Sequence, residues 1–402
     1  MNYKNGGDRV NNNKKYGFDT RTIHGGSTGK NPNNALNPPI FQTSTFVFDN
    51  IDHAEQVMSF KSDDYVYTRG NNPTLRLLEN RMAELEYGKG AVAFSSGMAA
   101  ISSVLFSFLK PNDNIIVHRT LYGSSYSVVT KLLPKYNVEY KIVDLTNLEE
   151  LKTAIDEKTK IIYFESPSNP NLAIINIKRV AQIAKDKNIK VIVDNTFASP
   201  YFQNPLLLGA DVVVHSATKY ICGHGDVVGG VAVAKDKDYI QSLKFDYMCE
   251  FGGVMSPFNA WLLLRGLKTL GLRMRQHEKN AIEVAKFLKN HPKIESVMYP
   301  GLEDFKGHDI AKEQMNGFGA MISFEIDGGL EDVKKFVEKI KLAQLAVSLG
   351  DCETLIEVPA IMTHRGYPNE KLREFGLTDS MVRISVGLED YQDIIEDLEQ
   401  AL

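Results

Sequence analysis

The chain has 402 residues, with 46 Lys and Arg against 50 Asp and Glu, a formal net charge of −4, and hydrophobic and charged fractions of 43% and 24%. That length exceeds what one core supports and predicts two domains and an arm, while the near-balanced charge excludes the basic footprint of a nucleic-acid binder. No apolar run reaches the ~20 residues of a membrane span, and the three cysteines, Cys222, Cys249 and Cys352, form no CxxC pair, which argues against a disulfide framework or zinc site and for a cytoplasmic location.

Met1 to Tyr16 is rich in Asn, Lys and Gly and lacks the apolar centre of a signal peptide; residues 1–15 are expected to be mobile. From Phe18 to about Asn71 the pattern is irregular, with turn-formers at Asn37-Pro38-Pro39 and an extended segment at Ser44 to Phe48. So poorly apolar a stretch predicts an arm, residues 1–71, that packs on a neighbouring subunit. Thr74 to Leu85 and Met98 to Leu109 read as helices. Short apolar runs of the buried parallel-strand type follow at Ile115 to Val117, Lys160 to Phe164, Lys190 to Val193 and Asp211 to Val214. Helical stretches at Ser125 to Leu133, Leu148 to Ile155 and Arg179 to Asp186 alternate with them. Repeated βα units predict an α/β fold with a mostly parallel sheet covered on both faces, residues 72–266. A long amphipathic helix from Pro257 to about Asn290, interrupted near Gly271, leads into a smaller α+β domain, residues 267–402. Its strands are expected at Met321 to Ile326 and Val382 to Val386, its helices at Asp332 to Ile340 and Tyr391 to Ala401.

Ligands of open α/β sheets sit beyond the carboxyl ends of the strands, so the residues after each apolar run matter most. Asp194 follows Val191-Ile192-Val193, and His215-Ser216-Ala217-Thr218-Lys219 follows Val212-Val213-Val214. Neighbouring strands thus offer a carboxylate and an amine at one rim. Pyridoxal phosphate (PLP) needs that pair: an amine to condense with its aldehyde, and a carboxylate to hold its pyridine nitrogen protonated. The phosphate needs a cradle, and Ser95-Ser96-Gly97-Met98 precedes an apolar helical run whose first N–H groups, from Gly97 and Met98, suit an anion. Ser216 and Thr218 offer hydroxyls to the same group.

Each element has a plainer reading: Asp194 as a helix cap, Lys219 as a surface charge, Ser-Gly as an ordinary cap. Their occurrence in register along one βα series favours the joint one. Gly223-His224-Gly225 with Gly229 has the spacing GxGxxxG and no strand before it, so a dinucleotide fold is rejected. His215 and His224 lack a third ligand at metal-binding spacing, and no metal is expected.

The segments Ser216-Ala217-Thr218-Lys219-Tyr220, Tyr67-Thr68-Arg69, Glu165-Ser166-Pro167-Ser168-Asn169-Pro170, Ser348-Leu349-Gly350 and Arg383-Ile384-Ser385-Val386-Gly387 resemble those of the Cys/Met-metabolism family of PLP enzymes. The resemblance runs from about Phe18 onward. That family includes the cystathionine and methionine γ-lyases, cystathionine β-lyase, cystathionine γ-synthase and the O-acylhomoserine sulfhydrylases. It implies the fold type I of PLP-dependent transferases and a homotetramer with sites shared across a dimer interface. It implies Lys219 as the cofactor lysine and proton shuttle, Asp194 as partner of the pyridine nitrogen, and Gly97, Met98, Ser216 and Thr218 around the phosphate. Tyr67 and Arg69 would reach a neighbouring subunit's phosphate. Tyr122 would stack on the ring and protonate the leaving group, and Arg383, with Asn169 and Ser348, would hold the substrate carboxylate.

Within the family, Val347 before Ser348 and Asp351 after Gly350 resemble methionine γ-lyase, whose reaction releases methanethiol, 2-oxobutanoate and ammonia. Pro359 to His364 resembles the methionine and cystathionine γ-lyases alike. Ser124, where methionine γ-lyases carry cysteine, and Met248-Cys249, where they often carry Lys-Asp, differ from that enzyme. Cystathionine γ-lyase and a γ-replacement transferase therefore stay open.

Overall fold

The computed structural model describes residues 16–27 and 29–402; the mobility expected of residues 1–15 lies outside them. Seven strands form the first sheet: β1 (Gly90–Phe94), β2 (Asn114–His118), β3 (Glu139–Val143), β4 (Thr159–Glu165), β5 (Lys190–Asp194), β6 (Val212–Ser216) and β7 (Gly230–Ala234). Their spatial order is β1-β7-β6-β5-β4-β2-β3. The pairs β2–β3, β2–β4, β4–β5 and β5–β6 are parallel, whereas β7 runs antiparallel to both β6 and β1. Helices cover both faces, so β2 and most of β4, β5 and β6 are buried. Each enclosed Val or Ile contributes about 1.5–3 kcal/mol, which explains their continuous rather than alternating apolar pattern. β1, β3 and β7 escape the sequence reading for different reasons. β1 and β7 are short Gly/Ala/Val runs, and β3 is an edge strand whose first two residues are exposed.

The second sheet holds β8 (Ile294–Met298), β9 (Met321–Ile326), β10 (Gln344–Leu345), β11 (Leu355–Glu357) and β12 (Met381–Ser385), in the order β10-β11-β12-β9-β8. It is antiparallel apart from the β10–β11 pair. Its own core includes Ile322, Phe324, Val382, Ile384 and Leu398. The long helix is two, Pro257–Leu267 and Leu270–Asn290, and the break falls at Lys268-Thr269, ahead of Gly271. In the stretch expected to be irregular, Phe18–His24 and Ile51–Met58 are helical. Thr45 pairs with Tyr67 in an isolated antiparallel bridge. Large apolar side chains stand exposed along this stretch, Leu36, Val47 and Ile51 at 94%, 92% and 83%.

Candidate active site

Parallel neighbours end together, so β4, β5 and β6 deliver Glu165, Asp194 and Ser216 to one rim as their last residues, with Glu165 and Asp194 paired in register. Asp194 Oδ1 accepts the Thr196 N–H at 3.0 Å, and Thr196 Oγ1 accepts the Ser216 N–H at 2.8 Å. The next helix begins at Ser199 behind Ala198, so Asp194 is not its cap. Burial raises the Asp194 carboxyl above the usual range, against the hydrogen bonds from Thr196. A protonated ring nitrogen over this carboxylate would offset that cost.

The anion cradle comes from helix Gly97–Phe108. Ser96 caps it by accepting the Ala99 N–H at 3.1 Å, and the first-turn N–H groups of Gly97 and Met98 have no intrahelical acceptor. A Cβ on Gly97 would stand 2.8 Å from the Ser216 Cβ, so glycine lets the cap press against the end of β6. Ser216 and Thr218 line the same cleft. The Thr218 hydroxyl also accepts the Gly229 N–H at 3.0 Å.

Lys219 Nζ donates to Ser348 Oγ at 2.9 Å, joining the first sheet to the loop before β11. Burial lowers the Lys219 pKa, with Arg383 adding to the effect and Asp351 and Glu357 opposing it. Arg383, on β12, is 3% exposed, which excludes a surface ion pair. Its Nη1 donates to Asn169 Oδ1 and to Glu357 Oε1, both at 2.8 Å, and its Nη2 to the Ser348 carbonyl at 2.9 Å. Nε is buried with no partner in the described residues, while the residue itself lines the cleft. Tyr122 and Val347 line the mouth, 39% and 57% exposed.

The cleft, about 280 Å³, thus gathers Gly97, Met98, Tyr122, Asn169, Asp194, Ser216, Thr218, Lys219, Val347, Ser348 and Arg383. Three expected residues fall outside it. Ser124 is exposed in the short helix Gly123–Ser127 that follows Tyr122 and does not line it. Tyr67 and Arg69 line a separate cavity of about 580 Å³ with Phe245 and Cys249. Both are exposed on the arm, and neither lines the Lys219 cleft.

Sequence reading assigned no role to Glu165, Thr196, Phe197 or Glu357. Glu165 ends an apolar strand run just as Asp194 does, so the same rule would have found it. Burial, reinforced by Asp194, pushes its carboxyl up to about 8. Glu357 sits in a three-residue strand opposite Arg383, too short to leave a pattern. His215 is buried against Glu86 at 2.6 Å, and His224 Nδ1 lies 2.7 Å from the Cys222 carbonyl. In the described residues no cluster of three or more His, Cys, Asp or Glu is placed to hold a metal.

The model of the family of Cys/Met metabolism PLP-dependent enzymes matches residues 19–402. The chain belongs to that family. It is 49% identical over 391 residues to L-methionine gamma-lyase of Fusobacterium nucleatum subsp. polymorphum, covering 97% of this chain and 98% of the relative. It is 46% identical over 383 residues to cystathionine gamma-lyase of Bacillus subtilis, covering 95% and 98%. The crystal structure of cystathionine gamma-lyase from Lactobacillus plantarum complexed with L-serine superposes with a TM-score of 0.89 at 40% identity, covering 96% and 98%. The fold is therefore fold type I and the cofactor PLP. The cleft fits that group: a helix N-terminus closed by Gly97 at one end, the buried Asp194 carboxyl at another, and an amine of lowered pKa between the sheets.

Proposed function

We propose that this protein is a carbon–sulfur lyase that converts methionine and water into methanethiol, 2-oxobutanoate and ammonia. The observation that carries the reading is Arg383, which lines the cleft and bonds the Ser348 carbonyl while Lys219 bonds the hydroxyl of the same residue. An amino-acid carboxylate fixed there would have its Cα near the Lys219 amine. Similarity to L-methionine gamma-lyases supports the substrate.

Bound PLP supplies an electron sink for negative charge developing at the substrate Cα. Lys219 would carry the cofactor, and its amine would move protons between the substrate Cα and Cβ. Burial lowers its pKa, which favours the neutral amine that acts as a base. Asp194 would hold the pyridine nitrogen protonated, and Gly97, Met98, Ser216 and Thr218 would hold the phosphate. Tyr122, at the mouth of the cleft, would give a proton to the departing thiolate. Arg383, Asn169 and Ser348 fix the carboxylate. Val347 offers an apolar wall to the methyl thioether, where a distal ammonium and carboxylate would lose their solvation unpaired.

Tyr67 and Arg69 complete the phosphate site of a neighbouring subunit in a homotetramer of two catalytic dimers. The exposed side chains of Leu36, Val47 and Ile51 support this arm role. The break at Lys268-Thr269 supports the division into residues 72–266 and 267–402, and the three free thiols accord with a cytoplasmic location. A second reading, cystathionine γ-lyase, draws on the Bacillus subtilis relative and on the hydroxyl of Ser124 beside Tyr122; γ-replacement by cystathionine γ-synthase or O-acetylhomoserine sulfhydrylase chemistry is the third. Comparing kcat/KM for methionine, homocysteine, cystathionine, and O-acetylhomoserine with sulfide separates them. A preference for methionine supports the proposal, one for cystathionine replaces it with the second reading, and one for O-acetylhomoserine with the third.

A further inference from the structure

Glu165 is the one buried carboxylate of the cleft for which the reaction above has no use. It closes β4 directly opposite Asp194 and is 5% exposed. Its two oxygens serve different segments: Oε1 accepts the backbone N–H of Tyr122 at 2.6 Å, and Oε2 accepts the backbone N–H of Asn169 at 3.2 Å. Each recipient leads to one end of the bound substrate. Asn169 passes its side-chain oxygen to Arg383 Nη1 at 2.8 Å. The Tyr122 ring is 39% exposed, so its direction depends heavily on how its backbone is fixed. That backbone is gripped on one side by Tyr367, whose hydroxyl accepts the Leu121 N–H and donates to the Leu121 carbonyl, both at 3.0 Å. Glu165 grips it on the other.

We propose that Glu165 is a positioning residue that ties Tyr122 to Asn169, so that the phenol facing the leaving group and the amide holding Arg383 keep a fixed spacing. The inference rests on the roles assigned above to Tyr122 and Asn169. A carboxyl group suits the task because both of its oxygens keep lone pairs for the two N–H donors, whether or not one of them carries a proton. Glutamine presents one acceptor and one donor, so one of the two ties must break. The shorter bond, to Tyr122, is the one glutamine keeps. Its amide nitrogen then opposes the Asn169 N–H, and the disturbance travels to Arg383. Alanine breaks both ties.

Glu165→Gln therefore raises KM for methionine about tenfold while kcat stays within about threefold. Glu165→Ala lowers kcat as well, roughly a hundredfold, and changes the visible circular dichroism of the bound cofactor, because the Tyr122 ring is no longer held over it. Cofactor content stays near stoichiometric in both variants, which separates positioning from collapse of the site. Tyr122→Phe and Asn169→Ala are measured beside them. If Tyr122→Phe is slow, Asn169→Ala binds substrate weakly, and the Glu165 variants match the wild type in kcat, KM and dichroism, the inference is overturned alone. If Tyr122→Phe and Asn169→Ala both behave as wild type, the reading of the site beneath it has failed. The split between a KM effect for glutamine and an added kcat effect for alanine is the result that upholds it.

Discussion

The Lys219 cleft and the Tyr67–Arg69 cavity carry two halves of one proposed site, yet they are built oppositely. The cleft is enclosed by its own chain: strand ends paired in register, a capped helix, and an arginine 3% exposed in β12. The arm cavity borders a segment with exposed apolar side chains, and Arg69 there is exposed. Burial explains the contrast. A lysine or carboxylate whose pKa must be shifted has to be enclosed by its own chain. A cation that closes a site across an interface has to stay on the outside until the partner arrives.

Substitutions sharpen this comparison. The largest effect is expected on the enclosed side: Lys219→Ala abolishes turnover while the phosphate cradle still retains cofactor, read by cofactor content after gel filtration. Arg383→Ala comes next. Removing one member of a buried, hydrogen-bonded charge pair costs about 2–5 kcal/mol, or a fall in kcat/KM of roughly 30-fold to several-thousand-fold. Arg69→Ala acts on the exposed side, and its mark is readily measured cofactor loss. Mixing Arg69→Ala with Lys219→Ala subunits restores part of the activity, because one hybrid site then has both residues. No recovery after demonstrated subunit exchange removes the shared-site half of the comparison.

Smaller effects follow at the mouth and beneath it. Val347→Glu shifts preference towards cystathionine by pairing its distal ammonium, read as a ratio of kcat/KM values. Glu165 gives a stability effect. Its folded carboxyl titrates near 8 rather than in the usual carboxyl range, because burial and Asp194 disfavour the charge. The folded protein therefore keeps a proton that the unfolded chain releases, and stability falls as pH rises from about 4.5 towards 8. Glu165→Gln has no such proton, so its Tm declines less between pH 6 and 9 than that of the wild type. Equal slopes refute the shifted titration.

Much of this was legible before any coordinates. The buried strands β2, β4, β5 and β6 announced themselves by continuous apolar runs, and the strand-end rule found Asp194 and Lys219 without help. Arg383, Asn169, Ser348 and Tyr122 came only from resemblance, since their convergence joins residues over two hundred positions apart, as in the Arg383–Asn169 bond. Glu357 and the strands β1 and β7 left no periodic signal, and the helices at Phe18–His24 and Ile51–Met58 are too short to show one. Glu165 was legible and passed over.

The central claim is that Lys219, and no other lysine of the chain, carries the cofactor. Reduction of the purified yellow protein with borohydride, digestion and peptide mass mapping tests it directly. The account predicts bleaching of the visible band and one modified peptide, bearing the reduced cofactor on Lys219. A modified peptide from elsewhere in the chain, with Lys219 untouched, would contradict it.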